Sequence, residues 1–272
     1  MTEAHFIRSS KGRERLSFLL RKAGPIISVG HAAEILNVSP SIASMTLSKW
    51  AKQGWLKRLK RGFYAPVSIE ASSSEQVLNN VWVLVPELFS PAYIGGWSAA
   101  EHWGFTEQVF QSICVVTSQN VRRKKITLQN VSFYMKHVDP SLLFGLKTLW
   151  DQNVKIQITD PHKTIIDMLD DPAMGGGIHH VDQCLRAYLS SDHYNEVKLL
   201  EYAEKQNNGA LFKRLGYLLS LMDNKNSGLI SYCKNHITKG ISSLEPGYKD
   251  VRFITEWGLS IPKNWQEAIH RD

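Results

Sequence analysis

Apolar positions recur at helical spacing through the first fifty residues. Leu16, Leu19, Leu20 and Ala23 share one face of a first predicted helix, with Ser9 or Ser10 as N-cap and Gly24-Pro25 as terminator. Ser28 caps a second helix, which carries Ala32, Ala33, Ile35 and Leu36 before Asn37 breaks the pattern. Asn37-Val38-Ser39-Pro40 then reads as a tight turn. Ser39 accepts a backbone N–H, and Pro40 takes the first helical position, where its missing N–H costs nothing. The third helix is predicted from Pro40 to about Gln53, with Gly54 suited to the left-handed conformation that ends it.

At 100° per residue, Ala43, Leu47, Trp50 and Ala51 of the third helix share one face. Ser41, Ser44, Met45, Ser48 and Lys52 share the opposite face, with Lys49 at its border. That second face is small and hydroxyl-rich at its start and basic at its end. It suits a helix whose backbone approaches base edges while lysines reach phosphates, and Ser39, at the cap, belongs to the same candidate surface. Trp55 to Leu59 reads as a strand, Lys60-Arg61-Gly62 as its turn, and Phe63-Tyr64-Ala65 as a returning strand stopped by Pro66. This hairpin is the wing of a winged helix-turn-helix, and Lys57, Arg58, Lys60 and Arg61 are its candidate phosphate contacts.

Gly, Ser and Ala are frequent from Val67 to Ser74, which places a domain boundary near residue 70: a DNA-binding domain over 1–70 and a second domain over 71–272. Beyond it, Trp97 to Trp103 is predicted as a short helix closed by Gly104. Val109 to Thr117 and Val131 to Met135 are predicted as strands flanking Arg122-Arg123-Lys124-Lys125, and Val154 to Ile158 as another. Asp160-Pro161 opens a helix bearing Ile165, Ile166, Met168 and Leu169, and from Ile178 to Met222 helical spacing dominates. The expected fold class is α+β: an N-terminal winged helix-turn-helix followed by a mixed α/β domain with a helical C-terminal half.

Composition sharpens this picture through charge. The chain of 272 residues has a formal net charge of +7. Residues 1–66 hold 12 Lys and Arg against three acids, a balance of +9, so the rest of the chain stands at −2. Such asymmetry is the footprint of a nucleic-acid-binding module on a near-neutral body. Cys114, Cys184 and Cys233 are odd in number and far apart, unlike a disulfide framework or a zinc motif. With no apolar run near membrane length and no secretory pattern in the first residues, a soluble cytoplasmic protein without membrane contact is expected.

Three sequence blocks point to a family. They are Arg61-Gly62-Phe63-Tyr64-Ala65-Pro66, the run from Tyr93 to Gly104 (YIGGWSAAEHWG), and the run from Ile158 to Leu169 (ITDPHKTIIDML). Together with Arg214-Leu215-Gly216-Tyr217-Leu218-Leu219, they resemble the AbiEi-type antitoxins of bacterial type IV toxin-antitoxin systems over about residues 10 to 222. Where many members have Glu after the Asp-Pro pair, this chain has His162. The resemblance implies an autorepressor that binds inverted repeats in the double-stranded DNA of its own promoter; since one winged helix contacts little more than one half-site, self-association on DNA is a further expectation. It also implies a partner: a nucleotidyltransferase-type toxin, countered without a stable complex. Some related antitoxins modify their toxin, so an enzyme of kinase or nuclease type localised by the winged helix stays open as an alternative, as does a metabolite-responsive repressor.

The remaining chemistry reads as structural. Gly175-Gly176-Gly177 is not preceded by a strand and is a turn more readily than a phosphate cradle. His179-His180-x-Asp182-x-Cys184 has metal-capable atoms, but adjacent histidines do not face one site on a helix. Glu101-His102 and Asp160-Pro161-His162-Lys163 lack a partner constellation for acid-base work, and Tyr93, Trp97, Trp103 and Phe105 read as packed core. No catalytic residue, cofactor or metal is expected. Arg122, Arg123, Lys124 and Lys125 are either a solvated loop or a second phosphate contact.

Overall fold

The computed structural model describes residues 12–67, 80–128, 130–151, 153–222, 227–263 and 265. Both cap candidates of the first helix, Ser9 and Ser10, and the expected boundary near residue 70 fall outside them. Two compact units result: one reaches to Leu88 and takes in Thr127–Val131 and Trp150–Ile156, and the other comprises the rest.

The first unit opens with α1 (Gly12–Lys22), β1 (Ile27–Ser28), α2 (Val29–Leu36) and α3 (Pro40–Lys52), followed by the hairpin β2 (Leu56–Lys60) and β3 (Phe63–Pro66). The three strands form an antiparallel sheet in the order β1-β3-β2. Its core joins the faces that the periodicity picks out: Leu16, Leu19, Ala32, Leu36, Ala43, Leu47 and Trp50 pack with Leu56 and Tyr64 from the sheet. Phe18, outside the predicted apolar stripe of α1, joins them. β1 has no signature in the sequence, because two residues are too few to show a period of two. A short α4 (Leu84–Phe89) comes after the winged helix-turn-helix.

A six-stranded sheet, most of it in the second unit, has the order β6-β7-β5-β4-β9-β8. Its strands are β4 (Ala92–Ile94), β5 (Ser112–Thr117), β6 (Lys125–Leu128), β7 (Val131–His137), β8 (Leu146–Asp151) and β9 (Val154–Thr159). β5 runs parallel to β7 and antiparallel to β4, which is itself parallel to β9. Five consecutive buried residues, Ile113 to Thr117, mark β5 as a central strand covered on both faces. The expected start of β5 at Val109 is corrected to Ser112, since Val109 is exposed. Lys125, expected in a loop, begins β6; β8 is hidden in the sequence because LKTLWD has no strict alternation of apolar and polar residues.

Helices supply the second layer: α5 (Gly96–His102), α6 (Pro161–Asp170), α7 (Ile178–Leu189), α8 (Glu196–Gln206), α9 (Gly209–Ser220) and α10 (Ser227–His236). α6 is buried on every side from Pro161 to Leu169, so it is the central rod of this unit. At the start of α5, Gly96 has φ +53°, and a Cβ there would lie 2.2 Å from the Met174 carbonyl oxygen. Only glycine fits that approach. The expected helical half stops at His236. After it the chain forms a small sheet of β10 (Ser242–Ser243), β11 (Val251–Ile254) and β12 (Leu259–Pro262), with β12 in the middle. This segment brings Trp257 against Gly216 of α9, where a Cβ would come within 2.1 Å of the indole. Among the described residues no helix is long and apolar enough to cross a membrane.

Candidate nucleic-acid interface

The turn that sets α3 against α2 is made by local hydrogen bonds. Ser28 caps α2 by accepting from the His31 N–H at 3.1 Å. Asn37 ends that helix in the left-handed region at φ +49°, and the Val38 N–H returns to the Ala33 carbonyl at 3.0 Å. Ser39 then starts α3 by accepting from Ile42 N–H, with Pro40 in the first turn, as the sequence implies. Gly54 closes the helix side of the hairpin at φ +78°.

Ala43, Leu47 and Trp50 anchor α3 in the core, and the opposite face is presented outward. Ser41, Met45, Lys49 and Lys52 are exposed, while Ser44 and Ser48 are half-buried. Ser44, Met45, Ser48, Lys49 and Lys52 line a shallow hollow on this face. The hydroxyls are not equivalent. Ser39 Oγ and Ser41 Oγ pair with each other at 3.0 Å, and Ser48 Oγ lies 3.1 Å from the hydroxyl of buried Tyr64 on β3. Ser48 therefore ties helix to sheet, a link between positions sixteen residues apart that no local pattern reveals.

The hairpin pairs Lys57 with Ala65 and Arg58 with Tyr64, then shifts register so that Lys60 faces Phe63. The extra residue is Leu59, which is buried. Such a bulge redirects the side chain after it. Lys60 accordingly turns inward: its Nζ donates to the Leu88 carbonyl at 2.7 Å and sits 4.6 Å from the Phe63 ring centre. Burial holds its pKa below the usual lysine value. Arg58 and Arg61 stay exposed, Lys57 is half-buried, and Gly62 makes the tip at φ +85°. The Gly62 carbonyl accepts from Val29 N–H at 3.0 Å, which fastens the tip of the wing to the first residue of α2.

In the second unit Arg122, Arg123, Lys124 and Lys125 are all exposed. The first three form a loop beside a cavity of about 370 Å³ with Phe89, Ile126 and Met135 in its lining. Glu101, His102 and His179 stay exposed, and most residues of the other motifs pack into core. Tyr93, Trp97 and Phe105 are buried, and Trp103 Nε1 donates to the Thr159 carbonyl at 2.8 Å. A Cβ on Gly176 would meet the Phe110 ring at 2.7 Å, so the triple glycine serves close packing. His180 Nδ1 is 2.6 Å from the Gly175 carbonyl oxygen and its Nε2 is 2.8 Å from Thr106 Oγ1, and burial lowers its pKa. Among the described residues no group of three or more His, Cys, Asp and Glu converges as a metal site would require.

The sequence does not foretell the polar network along α6. Asp160 caps the helix through Oδ1 and accepts the Tyr202 hydroxyl on Oδ2 at 2.9 Å. Lys163, wholly buried, donates to Asp167 at 2.5 Å and to Gln206 at 2.8 Å, and lies 4.2 Å from the centre of the Phe144 ring. Asp167 also accepts from Tyr93 at 2.8 Å; burial, then that carboxylate, pushes the Tyr93 phenol well up. Lys136 pairs with Asp170 at 3.0 Å and Asp171 at 3.3 Å, and Arg214 donates to the carbonyls of Leu169, Asp170 and Ser243. His162 Nδ1 meets the Tyr188 hydroxyl at 2.7 Å. These groups satisfy one another, the arrangement expected when buried charge must be compensated.

No curated protein matches the chain. Residues 14–67, which span the helix-turn-helix and the whole wing, are similar to the family described as transcriptional regulator, AbiEi antitoxin.

Proposed function

We propose that the chain is a sequence-specific DNA-binding autorepressor of a toxin-antitoxin operon, with α3 in the major groove and the wing along the phosphates. The carrying observation is the outward face of α3, with exposed Met45, Lys49 and Lys52 and half-buried Ser44, together with exposed Arg58 and Arg61 on the wing, in the segment that matches the antitoxin-regulator family. One winged helix covers about one half-site, so two copies on an inverted repeat supply the affinity of a repressor. In this reading the second unit restrains a nucleotidyltransferase-type toxin without forming a stable complex and without catalysis. Its ionisable groups on α6 are consumed by each other, which supports a structural role for them.

The test is fluorescence anisotropy of the full chain on a duplex of the promoter upstream of its own reading frame, against a scrambled duplex of the same length, over a range of salt. Preference for the promoter with a steep salt dependence is expected. Equal, salt-insensitive binding to both would sink the reading.

A further inference from the structure

The outward face of α3 carries two large apolar side chains in water. Ile42 is 44% exposed and Met45 is 66% exposed. Three positions apart on a helix, they are neighbours on one side of it, and Lys49 continues the row one turn further on. Single exposed apolar residues need no explanation. Here the pair sits at the N-terminal, base-facing end of a helix with basic residues in its last turn, and the polar alternatives around it are few.

Bidentate reading of guanine or adenine in the major groove uses Arg, Lys, Asn or Gln. The helix from Pro40 to Lys52 contains no Arg, Asn or Gln, and its lysines lie in the last turn. Its hydroxyls are largely committed: Ser39 and Ser41 to each other, Thr46 to the Ile42 carbonyl at 2.8 Å, and Ser48 to Tyr64. An apolar pair beside Ser44 remains for reading bases. The pyrimidine C5-methyl group is the apolar feature of the major groove, and apolar side chains are its complement.

We propose that Ile42 and Met45 specify the DNA site by packing on pyrimidine 5-methyl groups, which thymine carries and uracil lacks. The inference rests on the DNA-binding reading and adds Ile42, which lies outside the polar face that helical periodicity predicts. The recognised half-site then holds thymines at the position or positions under this pair, and the affinity gained there is insensitive to salt, unlike that from the lysines.

The experiment starts from a duplex selected by the full-length protein from a random pool, resynthesised with each thymine in turn replaced by uracil. Only a methyl group is lost. At one or two positions affinity should fall about fourfold, the factor expected for one buried methyl-sized group. In Ile42→Ala/Met45→Ala that loss should vanish, while Met45→Leu keeps it. Because 5-methylcytosine carries the same group, it is compared with cytosine at the sensitive position. Tighter binding of 5-methylcytosine than of cytosine is expected, and equal binding would count against packing on the methyl group. Uracil duplexes that all bind as tightly as the thymine duplex would overturn it while leaving DNA binding intact, as would a loss undiminished in the double variant. Failure to retain any duplex from the pool, with no salt-dependent binding, overturns the DNA-binding reading itself and this inference with it.

Discussion

The hydroxyl of Ser48 on α3 and the hydroxyl of Tyr64 on β3 lie 3.1 Å apart, and Tyr64 is otherwise sealed in the core of the winged unit. This bond ties α3 directly to the sheet of the wing. Tyr64→Phe removes it without changing shape, so the unit should lose only about 1 kcal/mol of stability. DNA affinity should fall more than that loss suggests, while its salt dependence stays the same. Urea unfolding and anisotropy on one preparation separate the two effects, and an unchanged affinity would show that the bond orients nothing.

The bulge at Leu59 divides the cations of the wing into two kinds. Arg58→Ala and Arg61→Ala should each lower the log-log salt slope of DNA binding by about one. Lys60→Ala should leave that slope alone and instead destabilise the fold by about 1 kcal/mol, because its ammonium bonds the Leu88 carbonyl. A salt titration that shows all three variants alike would refute the division.

Breaking the α6 network from one side should be costly. Lys163→Met leaves Asp167 buried with only the Tyr93 hydroxyl, and such an uncompensated charge costs about 3 to 5 kcal/mol. Lys163→Met combined with Asp167→Leu should recover part of it, since the stranded charge is gone. Chemical denaturation of the three proteins reads this directly, and a double variant less stable than the single one would contradict it.

Acid should loosen the second unit in two stages. His162 and His180 have pKa values lowered by burial, so their contribution is full above the ordinary histidine value of 6.5 and is withdrawn as pH falls through the depressed folded values. For Asp170, burial raises the pKa, but Lys136 and the Asn208 amide, with Lys163 further off, together outweigh it and hold the carboxyl below 3.8, so its share is present above that value and lost only in stronger acid. His180→Gln should therefore flatten the loss of stability that sets in as pH falls below about 6.5, and Asp170→Asn the loss below about pH 4. Unfolding midpoints from about pH 3 to about pH 8 check both assignments.

Features that depend on near neighbours can be read from the sequence. The caps at Ser28, Ser39 and Asp160, the helix stop at Asn37, the left-handed position at Gly54, and the buried faces of α1 to α3 are set by residues within one or two turns. Features set by distant partners cannot. β1 is defined by its pairing of Ile27 with Tyr64, and the inward turn of Lys60 by a bulge and a carbonyl at residue 88. The Lys163 network draws on Tyr93, Phe144, Tyr202 and Gln206, which share no spacing with α6. The sheet after His236 escapes pattern reading because its strands are two to four residues long.

The hydrogen bond from Val29 N–H to the Gly62 carbonyl has a thermodynamic consequence. A hairpin tip left loose in the free protein would have to be ordered by DNA, and that ordering entropy would be charged against affinity. Fastened to the start of α2, this tip is already fixed when the fold forms. The winged unit should then engage duplex as a rigid body, with a small heat-capacity change confined to the contact surface and an association rate governed by electrostatic steering.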